Sequence, residues 1–430
     1  MKMKGAFILS KVWDDVLASQ AGNREGRSLE AMDARLKRSG IPSRILCPSS
    51  RHDDRFVARY RVSVAGLETV SVTKLMRGGS GMPWEKGGGI PGELADGLRK
   101  RLAKAAVRTL YALGTDRGEV NITAMPGRRF TVDHVAIGRK GASGNRYGKA
   151  VFLTAAGKGM NAQNPPFSEK GAPFLMGMDP EFVLVGRGGR VVEASLYLDR
   201  RGAAGCDAVR SGEEVTYPLA ELRPVPKSDP DALLIEMRRT LREAGRLIAD
   251  RSLAWMAGGS PVKGLPLGGH IHFSGVPLSL DLLKCLDNYL ALPLALLEDP
   301  SGRERRPRYG YLGDFRRQPY GGFEYRTLPS FLVSPLIAKA SIYLAFLIAR
   351  NHGNLPARPL DEDRYHKAYY EGQTEILREC SADLHRDIGN LQEAAPYARV
   401  IDRVFGLIAE GRTWDERRDI RPLWNIASLP

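Results

Sequence analysis

The stretch Leu267-Gly-Gly-His-Ile-His-Phe-Ser-Gly275 places two histidines two residues apart, among apolar residues and with glycines near both ends. Side chains alternate between the two faces of a β-strand. A strand here therefore directs His270 and His272 to one face, roughly 7 Å apart, and Ile271 and Phe273 to the other. Two imidazoles on one face can bind a metal ion or a phosphate, or can remain hydrated. The chain has only seven histidines, so this pair marks the strand as a candidate functional centre.

Three other short segments repeat the alternation with charged side chains. The pairs are Asp179 with Glu181, Glu221 with Arg223, and Glu324 with Arg326. Each lies among apolar, aromatic or glycine residues, where a polar face requires partners. If the four strands share a sheet, one face collects carboxylates, imidazoles and guanidinium groups. Divalent cations relieve the repulsion between crowded carboxylates, and arginine suits phosphate, so the set predicts a site for a magnesium nucleotide.

Length and composition limit the class of protein. The chain has 430 residues, enough for two domains or one large elaborated domain, and its 43% hydrophobic content excludes wholesale disorder. Its 64 basic and 49 acidic residues give a net charge of +15, which favours anionic partners such as nucleotides, acidic peptides, nucleic acid or an anionic surface. Neither a zinc or redox cysteine spacing nor a signal peptide is recognisable, so we expect a cytoplasmic protein with free thiols.

The most apolar window, residues 331–349, contains a proline and a lysine and predicts a buried helix, not a membrane span. A Gly-, Asn- and Pro-rich segment, residues 157–169, predicts a domain boundary near Phe167. We therefore expect an N-terminal α/β domain of unknown role in residues 1–166 and a second domain, with a helical C-terminal part, in residues 167–430.

Periodicity and capping residues predict the main elements. In the first domain these are helices 28–39 and 93–113, followed by a hairpin with strands 119–123 and 129–137. In the second domain, residues 199–210 are predicted as a loop, and helices are predicted at 229–250, 279–297, 334–350, 364–390 and 395–411.

Six motifs, taken in order, resemble the glutamine synthetase and glutamate–cysteine ligase superfamily. The closer match is to its carboxylate–amine ligases (amidoligases), in particular the phage-like type 2 group. The motifs are Gly-Met-Asp-Pro-Glu-Phe (177–182), Gly-Cys-Asp-Ala (205–208), Ala-Glu-Leu-Arg-Pro (220–224), Leu-Gly-Gly-His-Ile-His-Phe (267–273), Tyr-Gly-Tyr-Leu-Gly-Asp-Phe-Arg (309–316) and Gly-Phe-Glu-Tyr-Arg-Thr-Leu-Pro-Ser (322–330). The resemblance covers roughly residues 170–350 and does not extend to the first 165.

The resemblance implies an α+β fold in which a curved antiparallel sheet has helices packed on its convex face. Its concave face would bind ATP and two or three Mg²⁺ or Mn²⁺ ions. The implied activity is ligation: a carboxylate is phosphorylated by ATP, and an amine attacks the acyl phosphate to form an amide. Substrates would be a small-molecule or peptide carboxylate and an amine, and the superfamily analogy suggests a homo-oligomer.

The resemblance also implies metal ligands by motif position. Glu181 and Glu221 would bind one ion, and Asp179, His270 and Glu324 a second. Relatives usually have a glutamate as the first acid of this set. The shorter aspartate followed by proline therefore makes Asp179 the least secure ligand.

Other positions take phosphate and substrate roles in the same resemblance. His272 would contact ATP phosphate, and Arg326, with Arg316 as the second choice, would stabilise the transferred phosphoryl group. Arg223 would hold a substrate carboxylate or pair with the glutamate two residues before it. Asp207 is a candidate base for the incoming amine.

Two alternatives remain open from the sequence. A guanidino-kinase-like phosphotransferase would yield ADP and a phosphorylated substrate, whereas a ligase yields ADP, phosphate and an amide. A non-catalytic basic phage-type or nucleic-acid-binding protein would use the net charge. The chain has no recognised nucleic-acid motif and no series of interleaved aromatic and basic residues, so we do not expect nucleic acid as a partner.

Overall fold

A computed structural model describes residues 27–47, 57–76, 85–86, 94–127, 129–138, 173–212 and 214–426. The chain separates into two units, residues 1–158 and 159–430. The predicted boundary near Phe167 and the segment 157–169 lie outside the described residues. The division into residues 1–166 and 167–430 therefore stays a prediction.

The first unit combines helices with an antiparallel sheet. Its elements are α1 (Leu29–Arg38), β1 (Ala58–Ala65), β2 (Glu68–Met76), β3 (Glu85–Lys86), α2 (Asp96–Ala112), β4 (Arg117–Met125) and β5 (Arg129–Ile137). The strand order is β3-β2-β1-β4-β5. Ser28 accepts a hydrogen bond from the Ala31 N–H and so caps α1. Both predicted helices and the predicted hairpin are confirmed.

The second unit contains an eight-stranded antiparallel sheet, curled like half a barrel. Its strands are β6 (Leu175–Val185), β7 (Val191–Val192), β8 (Ala204–Ser211), β9 (Glu214–Leu222), β10 (Ala254–Met256), β11 (Gly269–Ser274), β12 (Phe315–Arg317) and β13 (Phe323–Tyr325). The main order is β12-β13-β11-β6-β9-β8, and β7 and β10 also pair with β6. The predicted α+β fold with a curved antiparallel sheet is confirmed.

Helices fill the remainder of the second unit. They are α3 (Pro230–Leu247), α4 (Leu280–Leu286), α5 (Leu292–Leu297), α6 (Pro335–Asn351), α7 (Asp363–Glu371), α8 (Thr374–Arg378), α9 (Ser381–Gly389) and α10 (Ala398–Ala409). A π-helical turn, Asp287–Ala291, joins α4 to α5. Helix α3 packs on β6, β8 and β9. No helix in the described ranges has both the length and the apolarity that a bilayer crossing requires.

The histidine strand β11 alternates as the sequence predicts. Ile271 and Phe273 are fully buried, whereas His270 and His272 are only partly covered. Phe273 stacks on Phe323 of the neighbouring β13, with ring centroids 5.2 Å apart. The apolar face therefore fixes which way the histidines point, because a one-residue slip would exchange the two faces.

Two predictions on secondary structure are wrong. The loop predicted at 199–210 contains most of β8, which pairs with β9. Its buried side chains, Ala204 and Cys206, are small, so their alternation is a weak hydrophobic signal. The segment predicted as helix at 364–390 contains three helices. The first of them, α7, ends at Gly372, which adopts a left-handed conformation (φ 70°).

We expect Phe273→Ala to reduce the free energy of unfolding by about 3–5 kcal/mol, because it removes a fully buried ring and its stacking partner's contact. Urea unfolding measures the loss. Leu196→Ala, at a side chain that is 71% exposed, is the control and should change stability by less than about 0.5 kcal/mol. Equal, small losses in both variants would contradict the packing role of β11.

Candidate functional site

Strand register brings the predicted residues together on one face of the sheet. On β6, Asp179 lies directly opposite His270 of β11, and Glu181 lies opposite Glu221 of β9. On the other side of β11, His272 lies opposite Glu324 of β13. Four segments separated by up to about 150 positions in the chain thus contribute side chains to one surface.

The first cluster contains both histidines. Nε2 of His272 lies 2.9 Å from Oδ2 of Asp179. Nδ1 of His270 lies 3.1 Å from Oδ1 of Asp179 and 3.2 Å from Oε1 of Glu324. One ligand atom each from Asp179, His272 and Glu324 lie within 4.8 Å of one another. The structure therefore places both histidines against the same carboxylate.

The second cluster consists of carboxylates alone. One oxygen each from Glu181, Asp207 and Glu221 lie within 4.8 Å of one another. Glu181 accepts a hydrogen bond of 2.7 Å from the Gly268 N–H. Asp207, which is predicted as a base for the amine, is the exposed residue of this cluster. Its carboxylate therefore borders both the two buried glutamates and the solvent.

The environment changes the proton affinity of these acids. Beside the Glu181–Glu221 pair, β6 and β9 pair Val183 with Leu219, which belong to a buried apolar cluster on this part of the sheet. Burial raises the pKa of Glu181 to about 7. Burial, reinforced by the charge of Asp179, raises the pKa of Glu221 to about 8.

The histidine cluster behaves in the opposite way. Burial alone would raise the pKa of Asp179, but its contacts with His270 and His272 outweigh that effect and hold the pKa well below its usual range. Burial likewise disfavours the charged form of His270, yet Asp179 raises the pKa of that imidazole above its ordinary value. The two imidazoles thus favour the ionised form of Asp179.

Glycine makes the approach of His270 possible. A Cβ added at Gly268 would collide with the imidazole ring of His270. A Cβ at Gly269 would meet the ring of Phe331 at 2.8 Å and collide with the carbonyl of Pro329. Glycine is therefore required on steric grounds at both positions before the histidines. Any larger residue would displace the His270 ring or the adjoining chain at Pro329.

Arginines surround the fully buried Glu324. Arg316 donates to Oε2 from Nε at 2.7 Å, and Nε of Arg326 lies 3.0 Å from Oε1. Arg223 pairs with Glu221 and donates to the Gly202 carbonyl at 3.2 Å. The ion pair is one of the two roles that the sequence left open for Arg223.

Two further residues at this site have no signal in the sequence motifs. Gln318 donates to Oε2 of Glu324 at 2.9 Å. The hydroxyl of Tyr320 lies 3.4 Å from Nδ1 of His272, and the residue is 67% exposed. Both lie in the turn between β12 and β13, a short connection whose direction depends on tertiary structure.

The two clusters fit a divalent cation such as Mg²⁺ or Mn²⁺. Carboxylate oxygens are the ligands that these ions prefer. Oδ1 of Asp179 and Oε1 of Glu324 are buried and accept no well-aligned hydrogen bond from the described residues. Their contacts are the ion pairs with His270 and Arg326. A cation would add a ligand bond at these oxygens and would favour the ionised forms of Glu181 and Glu221.

Comparison with known proteins gives one family. The model of the family described as phage phiEco32-like COOH.NH2 ligase-type 2 matches residues 176–426, which is more than half of the chain. No curated protein matches the sequence.

Several solved structures share a limited likeness. A bifunctional glutathione synthetase from Pasteurella multocida is 13% identical (TM-score 0.36), and the match covers 59% of this chain and 52% of that chain. Apo GmaS is 13% identical (TM-score 0.29; 67% and 80% covered). The complex between the prokaryotic ubiquitin-like protein Pup and its ligase PafA gives 12% identity (TM-score 0.32; 56% and 65% covered). The chain thus spans about half the length of the Pasteurella enzyme.

We expect Mg²⁺ binding to release protons near pH 7. Glu181 and Glu221, with pKa values raised to about 7 and 8, hold protons that a bound cation would displace. Affinity for Mg²⁺ should therefore rise between about pH 6 and pH 8.5. Titration calorimetry in two buffers of different ionisation enthalpy measures the released protons.

Glu221→Gln should reduce the proton release, whereas Glu236→Gln, at a residue of α3 that pairs with Lys227, should leave it unchanged. Mg²⁺ binding with no proton release and no pH dependence would contradict the assignment of Glu181 and Glu221 as metal ligands.

Proposed function

Because the chain belongs to the phage phiEco32-like COOH.NH2 ligase-type 2 family, we propose that it is an ATP- and Mg²⁺-dependent ligase that joins a carboxylate to an amine through an acyl phosphate. The observation that supports this proposal best is the convergence of Asp179, Glu181, Glu221 and Glu324 with two histidines on one sheet face. Such a face suits a magnesium-bound triphosphate, because carboxylates bind the cation and the neighbouring arginines bind phosphate.

The proposed reaction has two steps. A carboxylate oxygen of the acid attacks the γ-phosphorus of ATP, and the bond from that phosphorus to the β-bridging oxygen breaks, so that ADP leaves with the electron pair. The amine nitrogen then attacks the acyl carbon, the carbon–oxygen bond to phosphate breaks, and phosphate leaves. The first step is needed because a free carboxylate is a poor electrophile.

The acidic residues would hold the metal ions. Glu181 and Glu221, with Asp207 within reach, would form one set; Asp179 and Glu324, which lie close to His272, would belong to the other. Bound divalent ions neutralise charge on the phosphates during transfer. We keep His270 as the proposed second-set ligand because Nδ1 contacts both carboxylates, and His272 as the proposed phosphate contact.

Arginines would stabilise the transferred phosphoryl group. Arg326 is 28% exposed and borders the first cluster, which leaves part of its guanidinium group accessible to an oxyanion. Arg316 is 56% exposed and can turn from Glu324 towards a phosphate. The planar guanidinium group matches phosphate oxygens in pairs, which the point charge of a lysine cannot do.

Asp207 is the proposed base for the amine. Its side chain is exposed beside the carboxylate cluster, and its Oδ1 accepts a hydrogen bond of 2.7 Å from the Ala208 N–H. An exposed carboxylate at the edge of the cluster can take the proton that an ammonium group must lose before its nitrogen attacks the acyl carbon. A metal ligand at the same position is compatible with the distances, and the two roles are separable by pH–rate profiles of Asp207→Asn.

The substrates that we propose are a small-molecule or peptide carboxylate and an amine. The net charge of +15 favours an acidic substrate. A cytoplasmic location and a homo-oligomer complete the proposal; the former is consistent with four free cysteines.

Incubation with Mg²⁺, ATP and a pooled library of acids and amines should yield ADP, phosphate and a product whose mass is the sum of one acid and one amine less one water. Mass spectrometry detects that product. Glu324→Gln should lower its formation at least about 100-fold, because it removes a fully buried charge from the proposed metal set. The control is Glu236→Gln, outside the site, which should retain full activity.

Three outcomes would contradict the proposal. A phosphorylated substrate without condensation would indicate a kinase. Equal activity of Glu324→Gln and the wild-type protein would show that the proposed metal site is not the active site. ATP turnover that does not depend on Mg²⁺ would exclude the metal-assisted mechanism.

A further inference from the structure

The outer face of helix α3 carries a row of arginines. Arg238, Arg239, Arg242 and Arg246 are all exposed, and together with Ile235 they follow the i, i+3, i+4, i+7, i+11 spacing of one helix face. The row from Arg238 to Arg246 is about 12 Å long at 1.5 Å per residue. We call these five residues the arginine face.

Most of the arginine face lacks compensating charges; the exposed Glu243, four residues after Arg239 and three before Arg246, lies at its edge. None of its four arginines forms an ion pair, hydrogen bond or ring contact with any residue that the structure describes, whereas Glu236 on the same helix pairs with Lys227. Like charges at i and i+4 destabilise a helix. Arg238, Arg242 and Arg246 form two such pairs, so the face is set up for an anionic partner.

The apolar residue on the face distinguishes between anionic partners. Ile235 is 66% exposed and lies one turn before Arg238 and Arg239. A nucleic-acid backbone offers phosphates to the arginines but no apolar group for an isoleucine on the outside of a helix. An acidic polypeptide segment that carries an apolar side chain offers both.

From these observations we propose that the arginine face is a docking surface for an acidic, amphipathic segment of another polypeptide. Carboxylates of the partner would pair with Arg238, Arg242 and Arg246, and an apolar side chain would cover Ile235. Helix α3 packs on β6, β8 and β9, the strands that carry Asp179, Glu181, Asp207 and Glu221. The helix that carries the docking surface therefore packs on the strands that carry these four acids, although docking does not depend on the ligase chemistry.

Fluorescence anisotropy with a labelled 20-residue peptide of glutamate and leucine tests the proposal on the full chain. The variant Arg238→Glu/Arg242→Glu should weaken binding at least tenfold. The matched control is Arg399→Glu/Arg403→Glu, because these two arginines have the same i, i+4 spacing and exposure on α10 and the same charge change. It should weaken binding less than twofold.

Two further probes identify the partner class. Ile235→Ser should weaken the glutamate–leucine peptide several-fold and leave a polyglutamate peptide unaffected. No binding of the peptide to the wild-type chain, or equal losses in the α3 and α10 variants, would overturn the proposal. Tighter binding of a 20-base-pair DNA duplex, with a steep salt dependence and no effect of Ile235→Ser, would overturn it in favour of nucleic acid.

Discussion

The site depends on one electrostatic conflict: the sheet forces carboxylates to face each other in a partly dry environment. The pairing of β6 with β9 sets Glu181 opposite Glu221, and the next pair, Val183 and Leu219, is apolar. Glu181 accepts a hydrogen bond from the Gly268 N–H, and Glu221 pairs with Arg223. Despite these contacts, the pKa values of the two acids rise to about 7 and about 8, so both can hold protons near neutral pH. A divalent cation bound between the two acids would relieve this repulsion.

The surrounding structure holds the site rigid through buried ionic groups. Arg305 is buried and donates hydrogen bonds of 3.2 and 3.0 Å to the carbonyls of Thr327 and Leu328, directly after Arg326. Arg306 pairs with the fully buried Glu298 at 2.6 Å. Because an uncompensated buried charge is costly, these contacts restrict the segment that contains Arg305 and Arg306 to one arrangement. Arg305 thereby fixes the backbone that directly follows Arg326.

The sequence predicts the local part of this arrangement well. Alternation in β11 orients His270 and His272 correctly because Ile271 and Phe273 must be buried, and the same logic applies to Asp179 with Glu181. What one sequence does not contain is the lateral pairing of strands. Strand register determines that His272 contacts Asp179 and that Asp207 lies beside Glu221. Turn direction determines that Gln318 reaches Glu324 and that Tyr320 reaches His272. The resemblance to a known family supplied the set of residues, and the structure supplies their neighbours.

The central claim is that the two clusters together bind divalent cations for a triphosphate. Crystals grown with Mn²⁺ and a non-hydrolysable ATP analogue, measured at the manganese absorption edge, test it most directly. The account predicts anomalous peaks at both clusters, one beside Glu181 and Glu221 and one beside Asp179 and Glu324, with the phosphates of the analogue between them. Anomalous peaks only at other positions, or phosphates bound on another face of the sheet, would contradict it.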